Sequence, residues 1–598
     1  MFMSGFWKRI LWRSDRWLGA NRATRYREGL CRYGFDDHIV ILGGGEMLEE
    51  LLEAVADRSD WAGKDVVVHS SLPAFQVRAR LATRLSPEAG RLSVTVYHGD
   101  RTNEAELRSC RVEQASVLFI IGDNDENGHD AQNVQCWERI RSIRVASQQV
   151  AQCYLFLNTS ATVSLFNMLP QEAHTSVETT IINRYESMVE QLLVGDNPLS
   201  AGHTLDRGLV TADADRYVHL VVAGMTEVGY AFATTAARLC HFPNFDETSP
   251  HPLRTKITLV DPAADVKMWQ FRNTYPHLFA LSHSHYMANE NGWLQSRPDS
   301  SYGDFIDVEW EFVKGTLADD WVRALLVDYA TDPGQVLSVA LCGNLADDNF
   351  ALSLHLPSQL YPMPVDSEEP SENDACQLTA SPNIYVYQPN CGILPAMAQK
   401  EVVRLHNLIP FGCFGGNYDP LIVRPTAVAK RVNYLLQKEN SGKQFVAMPT
   451  DASLLDALWQ QLSLAEKISN IHTANSLYTT LRGMAMATSE ALHPLDDPER
   501  LENLCRVEHS RWNVERLLVG YEAMTIAERD RLNSALASSD SDVRQEARTH
   551  TNRNTNQLFI FKDIAPYASL SESTKADIRT IARNLPLAAL PYITTCDQ

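Results

Sequence analysis

The sequence contains no C-x-x-C pair: its eleven cysteines are scattered, and none falls with histidine at the spacing of a zinc site. That argues against an oxidised scaffold or a structural metal and for a reducing cytosol. No apolar run approaches the ~20 residues a membrane-spanning helix needs. The first residues also lack the uninterrupted apolar stretch and small-residue cleavage site of a secretory signal. Cations are scarce as well: 53 Lys+Arg face 74 Asp+Glu, a formal charge of −21. Nucleic-acid binding needs clustered cations, so no nucleic-acid partner is expected. Complete phosphate-loop signatures are missing too, since the glycine-rich turn Phe411–Asn417 lacks the Gly-Lys-Ser/Thr ending.

What is present is a long, ordinary globular composition, 598 residues with 44% hydrophobic content, enough for three or four domains. Charge is uneven. Residues 1–34 carry eight Lys/Arg against Asp15 and Glu28, which makes this stretch +6 and leaves −27 for the rest. On a helix, Phe6, Trp7, Ile10, Leu11, Trp17 and Leu18 would form one stripe with Arg9, Arg13 and Arg16 facing away. Such a basic leader (residues 1–35) either docks on the acidic body or a second subunit, or lies through residues 1–20 on a membrane surface.

Apolar runs alternate with helical patterns from residue 38 onward. His38–Leu42, Asp65–His69, Leu92–Tyr97, Val117–Ile121 and Tyr154–Leu157 read as strands, with the turn Gly43-Gly44-Gly45 after the first. The order recurs at Val218–Ala223, Lys256–Val260, Glu311–Thr316, Leu337–Leu341 and Ile384–Tyr387, with Gly224–Gly229 after the first of these. Insertions at 242–255 and 285–305 stretch the second copy, and an acidic Ser/Pro-rich insertion lies near 364–382. Strands alternating with helices of ten or more residues predict βαβ units and a parallel sheet. The expected fold is α/β plus all-α: two doubly wound Rossmann-like domains, 36–205 and 216–423, followed by a helical domain, 424–598. In the helical part, helices are predicted near 425–438, 452–483 and 497–520.

The GGGE turn, the segment GDRTNEAELRSCRVEQASVLFIIGDNDENGHDAQN, and in the second copy FVKGTLADDWVRALL with LCGNLADDNFALSL resemble the TrkA-N (RCK) domain. That family is the cytosolic regulatory module of many potassium channels and transporters. The resemblance implies binding of NAD(P) or an adenine nucleotide, and a homodimer or higher oligomer.

In a dinucleotide fold the first glycine makes the turn, the second admits the pyrophosphate and the third lets helix and strand pack closely. The first copy keeps Gly43 and Gly45, followed by Glu46, but has Leu48 in third place. The second keeps Gly224 and Gly229 but has Thr226 in second place. Asp261 ends the second strand of the later copy, where a ribose-binding acid belongs. His69 and Ser70 hold that place in the first copy, with Arg78 and Arg80 downstream and Asp100 and Arg101 after the third strand. These residues are the candidate cofactor site. The competing reading is a copy that has lost its ligand and serves dimerisation.

EHSRWNVERLLVGY (508–521), with WQQLSLAEKISN (459–470) and Asn584-Leu585-Pro586, resembles the RyR domain, a helical module of ryanodine receptors also found in bacterial proteins. His509, Trp512, Arg516 and Gly520 lie near one helical stripe. Glu508, His509, Arg511, Trp512, Arg516 and Tyr521 are the candidate ligand residues, since an indole beside a cation holds a planar or anionic group. The alternative is a helix that packs Trp512 and Leu517 into the core.

No catalytic set and no metal site is expected. The preferred expectation is a non-catalytic sensor of a small nucleotide-like ligand, cytoplasmic, with a peripheral place at the inner membrane face as the alternative. Three further readings stay open: a cytosolic gating subunit of a potassium channel or transporter, an anti-phage or stress-signalling protein, and an NAD(P)-dependent oxidoreductase.

Overall fold

The computed structural model describes residues 20–45, 47–123, 128–147, 149–159, 162–163, 176–194, 203–290, 292–362, 381–389, 405–412, 426–440, 448–449, 452–486 and 493–589. The leader stripe and Glu46 lie outside them. The chain divides into two compact units, Met1–Arg184 with Asp419–Val423, and Tyr185–Tyr418 with Arg424–Gln598.

In the first unit the apolar runs form β1 (Ile39–Leu42), β2 (Asp65–Ser70), β3 (Ser93–His98), β4 (Val117–Ile120), β5 (Ala151–Leu157) and β6 (Val177–Asn183). They lie in the order β3-β2-β1-β4-β5-β6, every pairing parallel. Every residue of β1 and β4 is buried. A central parallel strand is covered on both faces, which is why these segments read as unbroken apolar runs. The strand order reverses between β1 and β4, which makes the crevice at their carboxyl ends the place where ligands bind in such sheets.

The second unit repeats the plan with β7 (Tyr217–Ala223), β8 (Thr255–Asp261), β9 (Ser284–Met287), β10 (Leu294–Ser296), β11 (Val308–Lys314), β12 (Gln335–Leu341), β13 (Asn383–Tyr387) and β14 (Leu408–Phe411). Their order is β10-β9-β11-β8-β7-β12-β13-β14. Without β9 and β10 this matches the first sheet strand for strand. The added pair comes from the 285–305 insertion: β9 runs parallel to β11 and β10 antiparallel to β9.

Helices Thr426–Asn440, Ala452–Gln460, Leu464–Gly483, Pro498–Val519, Ile526–Leu536, Ser541–Arg553 and Glu572–Asn584 make up the helical part. The single helix predicted over 452–483 is two helices. Ser463 starts the second with a capping box, its hydroxyl taking the Glu466 N–H and the Glu466 carboxylate taking the Ser463 N–H, which satisfies the free amides of a first turn.

This helical part shares its main core with the second sheet domain and keeps two smaller clusters of its own, one around Leu504 and Tyr567 and one around Met524 and Leu532. Helices Leu464–Gly483 and Pro498–Val519 pack on helix Glu227–Leu239 of the second sheet domain. One apolar cluster runs from Leu220, Val222 and Phe232 to Leu477, Leu481, Val514 and Leu517. Helix Glu227–Leu239 is accordingly buried nearly all round, the pattern of a helix enclosed on every side. Among the described residues, no helix is long and apolar enough to cross a membrane.

Candidate functional site

The corner after β1 is built by close backbone approach. Gly43, at φ +129°, donates its N–H to the His69 carbonyl at 2.8 Å, and a Cβ there would sit 2.1 Å from the Gly122 carbonyl oxygen. Gly45 donates to that same oxygen at 3.1 Å. Between them, Gly44 N–H donates to Oδ1 of Asp123 at 2.6 Å.

Asp123, 4% exposed, also accepts from the hydroxyl of Ser70 at 2.6 Å and from the Ser71 N–H and hydroxyl at 3.1 and 2.9 Å. Arg101 Nη1 lies 3.1 Å away, and its Nε donates to Asn133. Burial alone would raise the Asp123 carboxyl, but the Ser70 and Ser71 hydrogen bonds and the Arg101 charge hold it below the usual carboxylate range. The position where a phosphate would meet free amides therefore already holds a carboxylate.

The expected residues divide around this centre. Gly43, Gly45, Ser70 and Arg101 converge on it. Arg80 caps the Gly44 and Gly45 carbonyls at 2.6 and 2.9 Å and pairs with Glu49. Arg78 does not join: its guanidinium serves the carbonyls of Tyr26, Arg27 and Val96 and stacks over Tyr26. Asp100 closes an exposed turn onto Thr102. His69 is fully buried 3.6 Å from Glu106, and burial pushes its imidazole down to about 4. Asp123 and Ser71 were not foreseen; the acidic loop after β4 was the only trace of Asp123 in the sequence, and Ser71, just past β2, left none.

The second corner reaches the same state by another route. Gly224, at φ +103°, donates to the Val260 carbonyl at 2.9 Å. A Cβ on Gly229 would lie 2.0 Å from the Gly224 carbonyl oxygen, so Gly229 performs the helix-packing task of a third glycine. Thr226 caps the helix by accepting the Gly229 N–H and ties the corner to β12 by donating to the Cys342 carbonyl at 2.6 Å. Asp261, 4% exposed, takes the Met225 N–H, the Ala263 N–H and the Lys267 ammonium at 2.9, 2.9 and 2.7 Å. Again a carboxylate of the chain itself occupies the corner amide.

The helical part holds a cavity of about 700 Å³, lined by Glu508, His509, Arg511, Trp512, Arg516 and Tyr521, all six residues singled out from the sequence. Their helix is set by Asp497, which caps its first amides, by Pro498 in the first turn, and by Gly520 at φ +104° just past its end. Trp512 stacks on His509 at 5.9 Å between centroids and meets the edge of Phe561 at 5.5 Å. The Arg516 guanidinium lies 5.6 Å from the ring centres of both Trp512 and Tyr521.

Two of the six shape the wall. Arg511 holds Glu508 through two bonds, 2.9 and 2.7 Å, and also binds Glu515 and Thr473. Burial would raise Glu515, but Arg511 and Arg516 keep it far below the usual range. Burial pushes His509 down to about 4, and its Nε2 lies 2.9 Å from the Ala565 carbonyl, so the ring is neutral with the proton on Nε2. The cavity also contains Asn433 and Gln437 from helix Thr426–Asn440, which no motif marked, and Ser469 and Asn470 from the end of the 459–470 stretch. Among the described residues, no three His, Cys, Asp or Glu side chains gather into a metal site.

No protein-family model matches the chain, and no curated protein matches it. Among solved structures it is similar to the GsuK channel bound to NAD (10% identity, 65% of this chain and 64% of that one, TM-score 0.34). It is also similar to the GsuK RCK domain (10%, 65% and 78%, 0.32) and to the human SLO3 gating ring (10%, 64% and 82%, 0.35). The two Rossmann-like sheets are assigned here from their own strand order and parallel register.

Proposed function

We propose that this protein is a non-catalytic sensor of a small nucleotide-like ligand, and that the ligand site is the helical cavity around Trp512. The observation that carries this reading is a contrast. The cavity keeps open volume beside an indole and a guanidinium, whereas at each glycine turn one amide, that of Gly44 or of Met225, is donated to a carboxylate of the chain, Asp123 or Asp261. A volume of this order suits a small-molecule site. In this reading the two copies resemble RCK domains and the helical part an RyR domain, as the sequence motifs suggest, and the sheet domains serve as the responding body.

The response has a physical route inside the second unit. Helix Pro498–Val519 carries Arg511, Trp512 and Arg516 on the cavity wall and packs on helix Glu227–Leu239. Glu515, bound to Arg511, lies 3.8 Å from His472 on the neighbouring helix. A ligand that binds one arrangement of these helices better than another shifts their equilibrium by that difference in affinity.

Mass spectrometry of small molecules released on denaturing the purified full-length protein tests the assignment. Wild type is expected to release a nucleotide-like species that Trp512→Ala does not. Equal release from both proteins rules out the cavity as the site.

A further inference from the structure

The cavity wall carries information about the charge of its ligand. Among the described residues, the charged side chains that line it are Glu466, Glu508 and Asp563 against Arg511 and Arg516. Arg511 and Glu508 neutralise each other in a paired contact. Glu466 is turned onto the start of its own helix at Ser463, and Asp563 is 2.6 Å from Lys562.

Arg516 differs from Arg511. Its Nη2 donates to Ser469 at 2.8 Å and stands 3.7 Å from Glu515, but its Nε is buried without a hydrogen-bond partner among the described residues. Asn433, only 2% exposed, likewise has an amide nitrogen without a partner among the described residues. Both spare polar atoms are donors, so the missing group must bring acceptors. Buried donors left unmade are costly, and a guanidinium donor prefers an anion such as phosphate.

Resting on the cavity reading above, we propose that the cavity selects a nucleotide bearing a single phosphate, monoester or diester, and rejects nucleoside triphosphates. The base lies against Trp512, the phosphate meets Arg516, and Asn433 reads an acceptor on the ring edge. One guanidinium with an unmade N–H answers one phosphate. Each further phosphate would add charge beside Glu508, Glu466 and Asp563 with nothing on the wall to offset it, and such uncompensated repulsion is how a site excludes a close analogue.

Isothermal titration of the full-length protein, without magnesium, tests this with adenosine, guanosine, cytidine and uridine, their 5′-monophosphates, their cyclic monophosphates and their triphosphates. For at least one base, a monophosphate or cyclic monophosphate is expected to bind about tenfold or more tightly than its nucleoside and its triphosphate, the scale of one charge-assisted hydrogen bond. The two phosphate forms separate monoester from diester. Arg516→Gln should bring the phosphorylated ligand down to the nucleoside's affinity and leave the nucleoside unchanged. Arg516→Lys, which keeps the charge, should restore part of the preference, and unchanged thermal midpoints show that both variants fold.

If the triphosphate binds as tightly as the monophosphate, if Arg516→Gln has no effect, or if no compound binds, the proposal is overturned. A folded Trp512→Ala separates the two readings. If it weakens every compound that binds while no charge preference exists, the cavity stands and only the single-phosphate inference fails. If it weakens none of them, the cavity reading fails as well.

Discussion

Asp123 and Asp261 reach their glycine corners from different strands, the first from the loop after β4 and the second from the end of β8, yet each accepts the amide a phosphate would use. Removing the Asp123 carboxylate would leave Gly44 N–H, two serines and a guanidinium that is 2% exposed without their acceptor. Asp123→Ala is therefore expected to cost about 3 kcal/mol or more, the scale for one partner lost from a buried ion pair, read by urea unfolding. This arrangement was only half legible in the sequence. The glycines and Asp261 stand beside strands that alternation identifies. Asp123 is 79 residues from Gly44, and nothing local marks it as a partner rather than one more acid in a solvated loop. The cavity residues were easier to find, because Glu508 to Tyr521 lie on one helix and its cap and share a face by spacing alone. Asn433 comes from another helix outside any motif and needed the fold, and Ser469 lay in the 459–470 stretch without being marked as a wall residue.

At the scale of elements, the parts that repeat are the parts the sequence showed. Central strands of a parallel sheet are covered on both faces and leave unbroken apolar runs, so β1, β2, β4, β7, β8 and β12 were readable. The edges were not. β14 is Leu408-Ile409-Pro410-Phe411, and a proline that gives no ladder hydrogen bond is tolerated there because the strand lies at the border of the sheet. The break between helices Ala452–Gln460 and Leu464–Gly483 was signalled by Ser463 and Glu466 but hidden by the continuing apolar pattern around it. Ser463→Ala is expected to cost about 1 kcal/mol, as for a lost N-cap, measured by chemical unfolding. Gly229→Ala should be far more damaging, because its Cβ would meet the Gly224 carbonyl at 2.0 Å. Gly90→Ala, with open space around it, should shift the thermal midpoint little. Equal tolerance of Gly229→Ala and Gly90→Ala would show that the helix does not need its close approach to the corner.

The second unit behaves as one body, because helix Glu227–Leu239 belongs at once to the second glycine corner and to the core beneath the helical part. Its acid sensitivity is set by histidines such as His219 and His509, which burial pushes down to about 4, as it does His69 in the first unit. An unfolded histidine titrates near 6.5. Between about pH 6.5 and 4 the unfolded chain therefore binds more protons than the folded one, and stability falls as pH falls through that window. Each histidine can contribute up to about 3 kcal/mol at the acid end. The thermal midpoint should decline from pH 6.5 toward 4, and His219→Gln should lessen the slope. A midpoint constant across this range would contradict the neutral, buried state of these rings.

The central claim is a location, so it is tested most directly by marking the place where a nucleotide sits. 8-Azidoadenosine 5′-monophosphate, photolysed with the full-length protein and mapped by peptide mass spectrometry, should label the segments 508–521 or 559–563 around Trp512, and unlabelled nucleotide should compete it away. Competable labelling confined to residues 39–48 or 222–230 would place the ligand at the glycine corners and contradict the account.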